Sequence, residues 1–216
     1  MTPTRGDDGF TLVEVLIVTV LLGIVGSVVT MSLVQSMQFS RATSERAIAL
    51  HDIERSLQVV GRELRIAEQV ILDADGAFDE RLAAQITRDG AFQIHTFTIE
   101  SEDPDDPDSI QLLFQSIVEY DREDVLTNGF SGATAVTQPR RRLITDIDNG
   151  IEAVFTYHRS DGQEIVCAPD VAGDCRDAYG NANQIGIRLV RNLHDQEPIR
   201  AETRITVRTL RYQRLG

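Results

Sequence analysis

From Phe10 to Val34 the chain reads FTLVEVLIVTVLLGIVGSVVTMSLV, apolar almost throughout. Glu14 is the only charge in that stretch, and the next is Arg41. As a helix these 25 residues would span about 37 Å at roughly 1.5 Å per residue. A bilayer core is about 30 Å thick, so one membrane crossing is predicted. Leu50, Ile53, Leu57, Val60, Leu64 and Ala67 then recur at spacings of three and four. That is the stripe of an amphipathic helix. No Pro interrupts residues 10–70, so one long helix is expected, with Gly23, Gly26 and Gly61 as soft points.

Beyond residue 72 the period changes to two. Ile110, Leu112, Phe114, Val118 and Tyr120 alternate with Gln111, Gln115 and Glu119, and the first set is expected to be the buried one. Similar alternation marks Ile151–Tyr157, Ile185–Leu189 and Ile205–Val207, and residues 91–99 read as another strand. Asp-Gly at 89–90 and 161–162 and Asn-Gly at 128–129 and 149–150 are turn signals. A hairpin is expected from Tyr157 through Ser160-Asp161-Gly162 toward Ile165. The fold class predicted is α+β, a long N-terminal helix packed on antiparallel sheet. The expected division is 1–9 as a leader, 10–34 as the membrane helix, 35–72 as its amphipathic continuation and 73–216 as a β-rich domain.

Charge narrows the function classes. The 216 residues carry 21 basic side chains, all Arg, against 34 acids, a net of −13. Residues 73–130 hold 15 of the acids and three Arg, so nearly all the excess is there. This argues against nucleic acid as a partner, since phosphate binding needs a positive footprint. Arg140-Arg141-Arg142 is the one basic cluster that could contact DNA, and a solvated basic turn is its plainer reading. No catalytic fingerprint occurs, and His51, His95, His158 and His194 share no motif. No enzyme is expected.

The apolar run is too long for a secretory signal core, and no Ala-x-Ala follows it. A plain anchor would leave Glu14 unexplained, because a carboxylate at membrane depth costs about 2.5–3.5 kcal/mol on insertion scales. Gly9-Phe10-Thr11-Leu12-Val13-Glu14 at the head of a lone span resembles the start of type IV prepilins and type II secretion pseudopilins. The resemblance implies cleavage between Gly9 and Phe10 by prepilin peptidase and N-methylation of Phe10. It makes Glu14 the fifth residue of the mature chain and the assembly residue, paired with the terminal amine of a neighbour. One departure is the acidic pair Asp7-Asp8 where the family's leader is basic; Arg5 alone supplies positive charge.

Beyond the span the likeness is weaker: Ala67 after Arg62-Glu63-Leu64-Arg65, a late strand with Tyr157 and Asp161-Gly162, and then Ile185-Gly186-Ile187-Arg188-Leu189-Val190 resemble the layout of minor pseudopilin J of type II secretion and the PilW-like minor pilins. It implies a pilin-like fold and a tip or initiation complex of a pseudopilus or pilus. The implied partners are other minor and major subunits and an inner-membrane assembly platform. The implied location is the inner membrane, crossed once, with the domain in the periplasm and later in a filament. The alternative is a membrane-anchored or pilus-associated binding module, an adhesin or a receptor for DNA or an exported substrate.

Two further readings concern the domain. Cys167 and Cys175 lie in one Gly- and Asp-rich loop, and outside the cytoplasm such a pair reads as a disulfide. A metal pair would need more ligands, with His158 and His194 the nearest in sequence. The acidic loop Glu100–Asp108 offers Asp103, Asp105, Asp106 and Asp108 as oxygen ligands for calcium, without the EF-hand spacing. A solvated acidic loop, able to attract a basic partner, is the plainer account. No other cofactor is expected.

Overall fold

The computed structural model describes residues 11–73, 80–103, 109–149, 152–166, 179, 182–193, 196–208 and 210–213. The chain divides into two compact units, Met1–Ala47 and Ile48–Gly216. One helix, α1 (Leu12–Ile66), runs through the boundary between them.

In the first unit the described chain is helix from residue 12 onward, and none of its side chains is buried. Leu16, Leu21, Ile24, Val28 and Met31 each remain more than half exposed. A helix apolar on every side through Val34, with none of the described residues over it, belongs in lipid or among other helices. Several of its hydroxyls bond back to their own backbone. Thr19 donates to the Val15 carbonyl at 2.8 Å and Thr30 to that of Gly26 at 2.8 Å. Such bonds spare these two hydroxyls from facing hydrocarbon as bare donors.

In the second unit the rest of α1 lies on sheet. Ala49, Ile53, Leu57, Val60 and Leu64 are buried, each larger side chain adding about 1.5–3 kcal/mol of burial. Leu50, expected on the stripe, is 40% exposed, while Ser56, Gly61 and Glu63 are buried. The buried face is wider than the stripe because one core cluster joins the helix to strands of two sheets. The helix also stops at Ile66, short of residue 72, and Gln69–Asp73 is strand β1. β-Branched Val70 and Ile71 pair there with Ala84 and Ala83, so sheet pairing overrides a continued helix.

The larger sheet contains β1, β2 (Arg81–Arg88), β3 (Ala91–Ser101), β4 (Gln111–Asp121), β5 (Ala135–Thr137), β6 (Arg141–Ile147) and β10 (Leu210–Gln213). Its order is β10-β1-β2-β3-β4, with β4 pairing β5 along one part and β6 along another. All its pairs are antiparallel except β1 with β10. The smaller sheet is β7 (Phe155–His158), β8 (Gln184–Leu193) and β9 (Gln196–Thr206), in that order. A short helix, α2 (Arg122–Asn128), follows β4, capped by the Asp121 carboxylate on the Asp124 N–H at 3.0 Å.

The turn at Asp89-Gly90 has φ of 53° and 84°, the left-handed pair that a two-residue hairpin needs. The expected hairpin after Tyr157 is present, with His158 bridging Glu164 and the Ile165 N–H donating to the Tyr157 carbonyl. Asn128-Gly129 closes α2.

Strand β4 differs from its expected phase. Leu113, Gln115 and Ile117 share the helix-facing side with Phe97 and His95, and Leu113 is fully buried. Leu112, Phe114, Val118 and Tyr120 lie on the opposite face, half-buried. Both faces of this strand are apolar, so alternation alone assigned the core to the wrong one.

Candidate functional site

Glu14 stands in the first turn of α1, set there by a cap. The Glu14 N–H donates to the Thr11 carbonyl at 3.0 Å and to Thr11 Oγ1 at 3.3 Å. Thr11-x-x-Glu14 is the spacing of a capping box, a signal the family pattern had hidden. A carboxylate in a first turn is favoured by the positive end of the helix. The Glu14 side chain is exposed and makes no ion pair among the described residues. Gly9 and Phe10 lie outside those residues. What the geometry provides is one exposed carboxylate at the tip of an uncovered apolar rod. Such a group can meet a cation that another molecule brings to the same depth.

A second polar constellation is buried under the far half of α1, and sequence reasoning missed it. Glu63 faces the sheet with its side chain 2% exposed. Its Oε1 takes hydrogen bonds from Arg62 Nη2 at 2.8 Å and Nε at 3.2 Å. Its Oε2 lies 3.6 Å from Arg88 Nη2 and 3.7 Å from His95 Nδ1. His95 Nδ1 is also 3.2 Å from Gln115 Nε2, and His95 Nε2 is 3.2 Å from Gln93 Oε1. These contacts suit a neutral ring, protonated on Nε2, accepting from Gln115 and donating to Gln93. Burial lowers the His95 pKa below 6.5; Glu63 opposes the shift, and Arg88 and Arg62 reinforce it. The sequence signal was parity: Gln93 and His95 fall on the same face as Phe97.

The remaining candidates fall elsewhere. Cys167, Cys175, Asp105, Asp106, Asp108 and His194 lie outside the described residues. Asp103 is described, its N–H donating to Ser109 Oγ at 2.7 Å. Among the described residues no cluster of three His, Cys, Asp or Glu could hold a metal. His51 is exposed. His158 is fully buried and pairs through Nε2 with Thr156 Oγ1 at 3.0 Å.

The Asp146–Asn149 run ties β6 to β8. Asp146 pairs with Arg191 at 3.0 Å, and the Asn149 side chain bridges the backbone of Arg188 and Val190. In the basic cluster, Arg140 pairs with Glu100 and stacks over the Phe114 ring at 3.9 Å. Only Arg141 and Arg142 remain as exposed strand residues of that triplet with no ion pair among the described residues.

Residues 4–30 match the family described as the prokaryotic N-terminal methylation motif. No curated protein and no solved structure matches the chain. The matched segment spans the leader junction, Glu14 and the head of the apolar helix. It supports the pilin and pseudopilin family, a type IV pilin-like precursor processed by prepilin peptidase, and a structural subunit rather than an enzyme. The apolar helix and the motif together fit a membrane-anchored pilin carrying a folded domain.

Proposed function

We propose that this chain is a minor pilin or minor pseudopilin, akin to pseudopilin J or the PilW-like subunits. It would act in the tip or initiation complex of a type II secretion pseudopilus or a type IV pilus. The observation that carries the reading is Glu14, exposed at the N-terminal end of an apolar helix that none of the described residues covers. Prepilin peptidase cuts between Gly9 and Phe10, and Phe10 is then N-methylated. The new ammonium group lies close to the level of Glu14 in a neighbouring subunit. In a low-dielectric bundle each charge is costly alone and stabilised by the other, so pairing fixes the axial step between subunits. The helix is handed from the inner membrane to the filament core with its apolar faces covered in both places. The domain stands in the periplasm, where Cys167 and Cys175 form a disulfide.

Intact mass and N-terminal sequence of the protein from its native membrane test the first step. A chain beginning at methylated Phe10 is expected. A chain still beginning at Met1, while the peptidase processes its other substrates, overturns the reading in favour of a plain single-span anchor.

A further inference from the structure

The outer faces of the two sheets in the second unit are unlike. On the smaller sheet that face buries Thr156, His158 and Val190, and its exposed charges neutralise one another. Arg188 lies 3.3 to 3.9 Å from Glu202, Glu164 and Glu152, while Arg200 and Arg204 pair with Glu152 and Glu202. On the larger sheet, the face away from α1 is already buried at Ile71 of β1 and Ala83 of β2, but along β3 and β4 it carries Phe92, Ile94, Leu112, Phe114, Val118 and Tyr120, all half-buried. Phe130 leans onto one end of it, its ring 5.8 Å from that of Phe92 and 5.3 Å from that of Tyr120. Between α2 and the sheet a cleft of about 430 Å³ is left open, floored by Phe92 and the bonded amides of Gln69 and Gln85. Val125, Leu126 and Phe130 form its apolar wall, and Leu126 is 71% exposed.

Strands apolar on both faces belong to sheets covered on both sides, and α1 covers one. Charge says what suits the other. Glu68 lines the cleft, and Asp121, Glu123 and Asp124 stand at the start of α2. Asp124 is engaged by Asn128 and the Thr134 N–H. Glu68 and Glu123 are exposed, with no ion pair among the described residues. Arg122 is a nearby cation, with its guanidinium 5.9 Å from the Phe92 ring centroid. The whole stretch 73–130 carries a net charge of −12. An anionic membrane surface or a nucleic acid would be repelled. A second copy brings a net of −13 against this one.

We propose that the cleft between α2 and the outer face of the larger sheet docks another protein, through an apolar side chain flanked by Arg or Lys. The apolar group fills the space between Leu126, Phe130 and Phe92, and the flanking cations meet Glu68 and Glu123. Docking concerns the folded domain and holds whether or not the helix enters a filament.

The test places a photo-reactive benzoylphenylalanine at Leu126 in the full-length chain in its native cells, with Thr206, exposed on β9, as the control position. Irradiation at position 126 is expected to yield an adduct with one protein, whose cross-linked peptide carries net positive charge and an apolar residue. The double variant Glu68→Arg/Glu123→Arg should lower the yield about tenfold, since rim charges of like sign oppose encounter. In isolated membranes the yield should also fall as salt rises from about 0.05 to about 0.5 M. Both substituted side chains are exposed, so the unfolding midpoint should not move. An adduct with a second copy, with lipid, with nucleic acid or with an acidic segment overturns the proposal. So does a double variant that cross-links like the wild type, or equal yields at Leu126 and Thr206. The readout is the chemistry of the adduct, not incorporation into a filament, so it can fail independently of the Glu14 reading.

Discussion

Residues 12–47 and 48–66 belong to the same helix, yet the first part buries no side chain and the second buries Ala49, Ile53, Leu57, Val60 and Leu64. The difference lies in where each part finds its apolar partner. The second part finds it within the chain, against strands of both sheets. The first finds none among the described residues, and lipid or other subunits can supply it. The larger sheet repeats the contrast in part: α1 covers one face, while on the other Ile71 and Ala83 are buried but the apolar side chains of β3 and β4 stay half-buried. Covered apolar surface contributes to the stability of the fold, whereas uncovered apolar surface is available for assembly.

Substitution of Glu14 should break the contrast most sharply. Glu14→Ala is expected to insert in the membrane and fold normally but to be lost from filaments or tip complexes, an effect close to all-or-none. Co-purification with partner subunits at wild-type yield would remove the assembly role. Next comes a matched pair along the helix. Leu64→Ala should destabilise the domain by about 2–5 kcal/mol, since it empties a fully packed site. Leu21→Ala should leave the denaturant midpoint of the domain unchanged. Equal effects of the two would erase the distinction between the halves.

A third variant probes the smaller sheet. A methyl group built on Gly186 would lie 2.2 Å from Thr156 Oγ1 and 2.9 Å from His158 Nε2, all on the outer side of β7 and β8. Gly186→Ala should therefore cost about 1–3 kcal/mol, the usual range for overpacking. An unchanged melting temperature would mean that Thr156 and His158 can move aside freely.

The smallest effect expected is on pH. His95 has a folded pKa lowered below 6.5, chiefly by burial, so the unfolded chain takes up the proton more readily. Its contribution is fully present above about pH 6.5 and is lost as pH falls through that value toward the lowered folded pKa. His95→Gln should flatten this part of the stability profile. A wild-type curve with the same slope as the variant between pH 7 and pH 5, taken as roughly bracketing the window, would show that His95 does not carry it.

Much of the plan was legible because it rests on local, periodic signals. The uninterrupted apolar run, the three-and-four stripe and the Asp-Gly turn all follow from backbone geometry within a few residues. What was not legible depended on distant partners. Helix α2 is only seven residues long and needs the Asp121 cap and the Phe130 contacts to hold it. Strand β10 pairs with β1 from the far end of the chain. The alternation of β4 was visible, yet its two faces differ only in what covers them.

The amino-acid sequence by itself determined the anchor, the position of Glu14 relative to Gly9 and Phe10, the α+β class and the acidic middle of the chain. These are properties of neighbouring residues and need no knowledge of what lies across the fold. The tertiary structure alone decided that Leu113 and not Leu112 meets the helix, that Glu63 and His95 share one buried pocket, and that Arg140 is held by Glu100 and Phe114. Each of these is a choice between faces or partners that are locally near-equivalent. Such choices are settled by long-range packing, where one residue's shift in register exchanges core for surface.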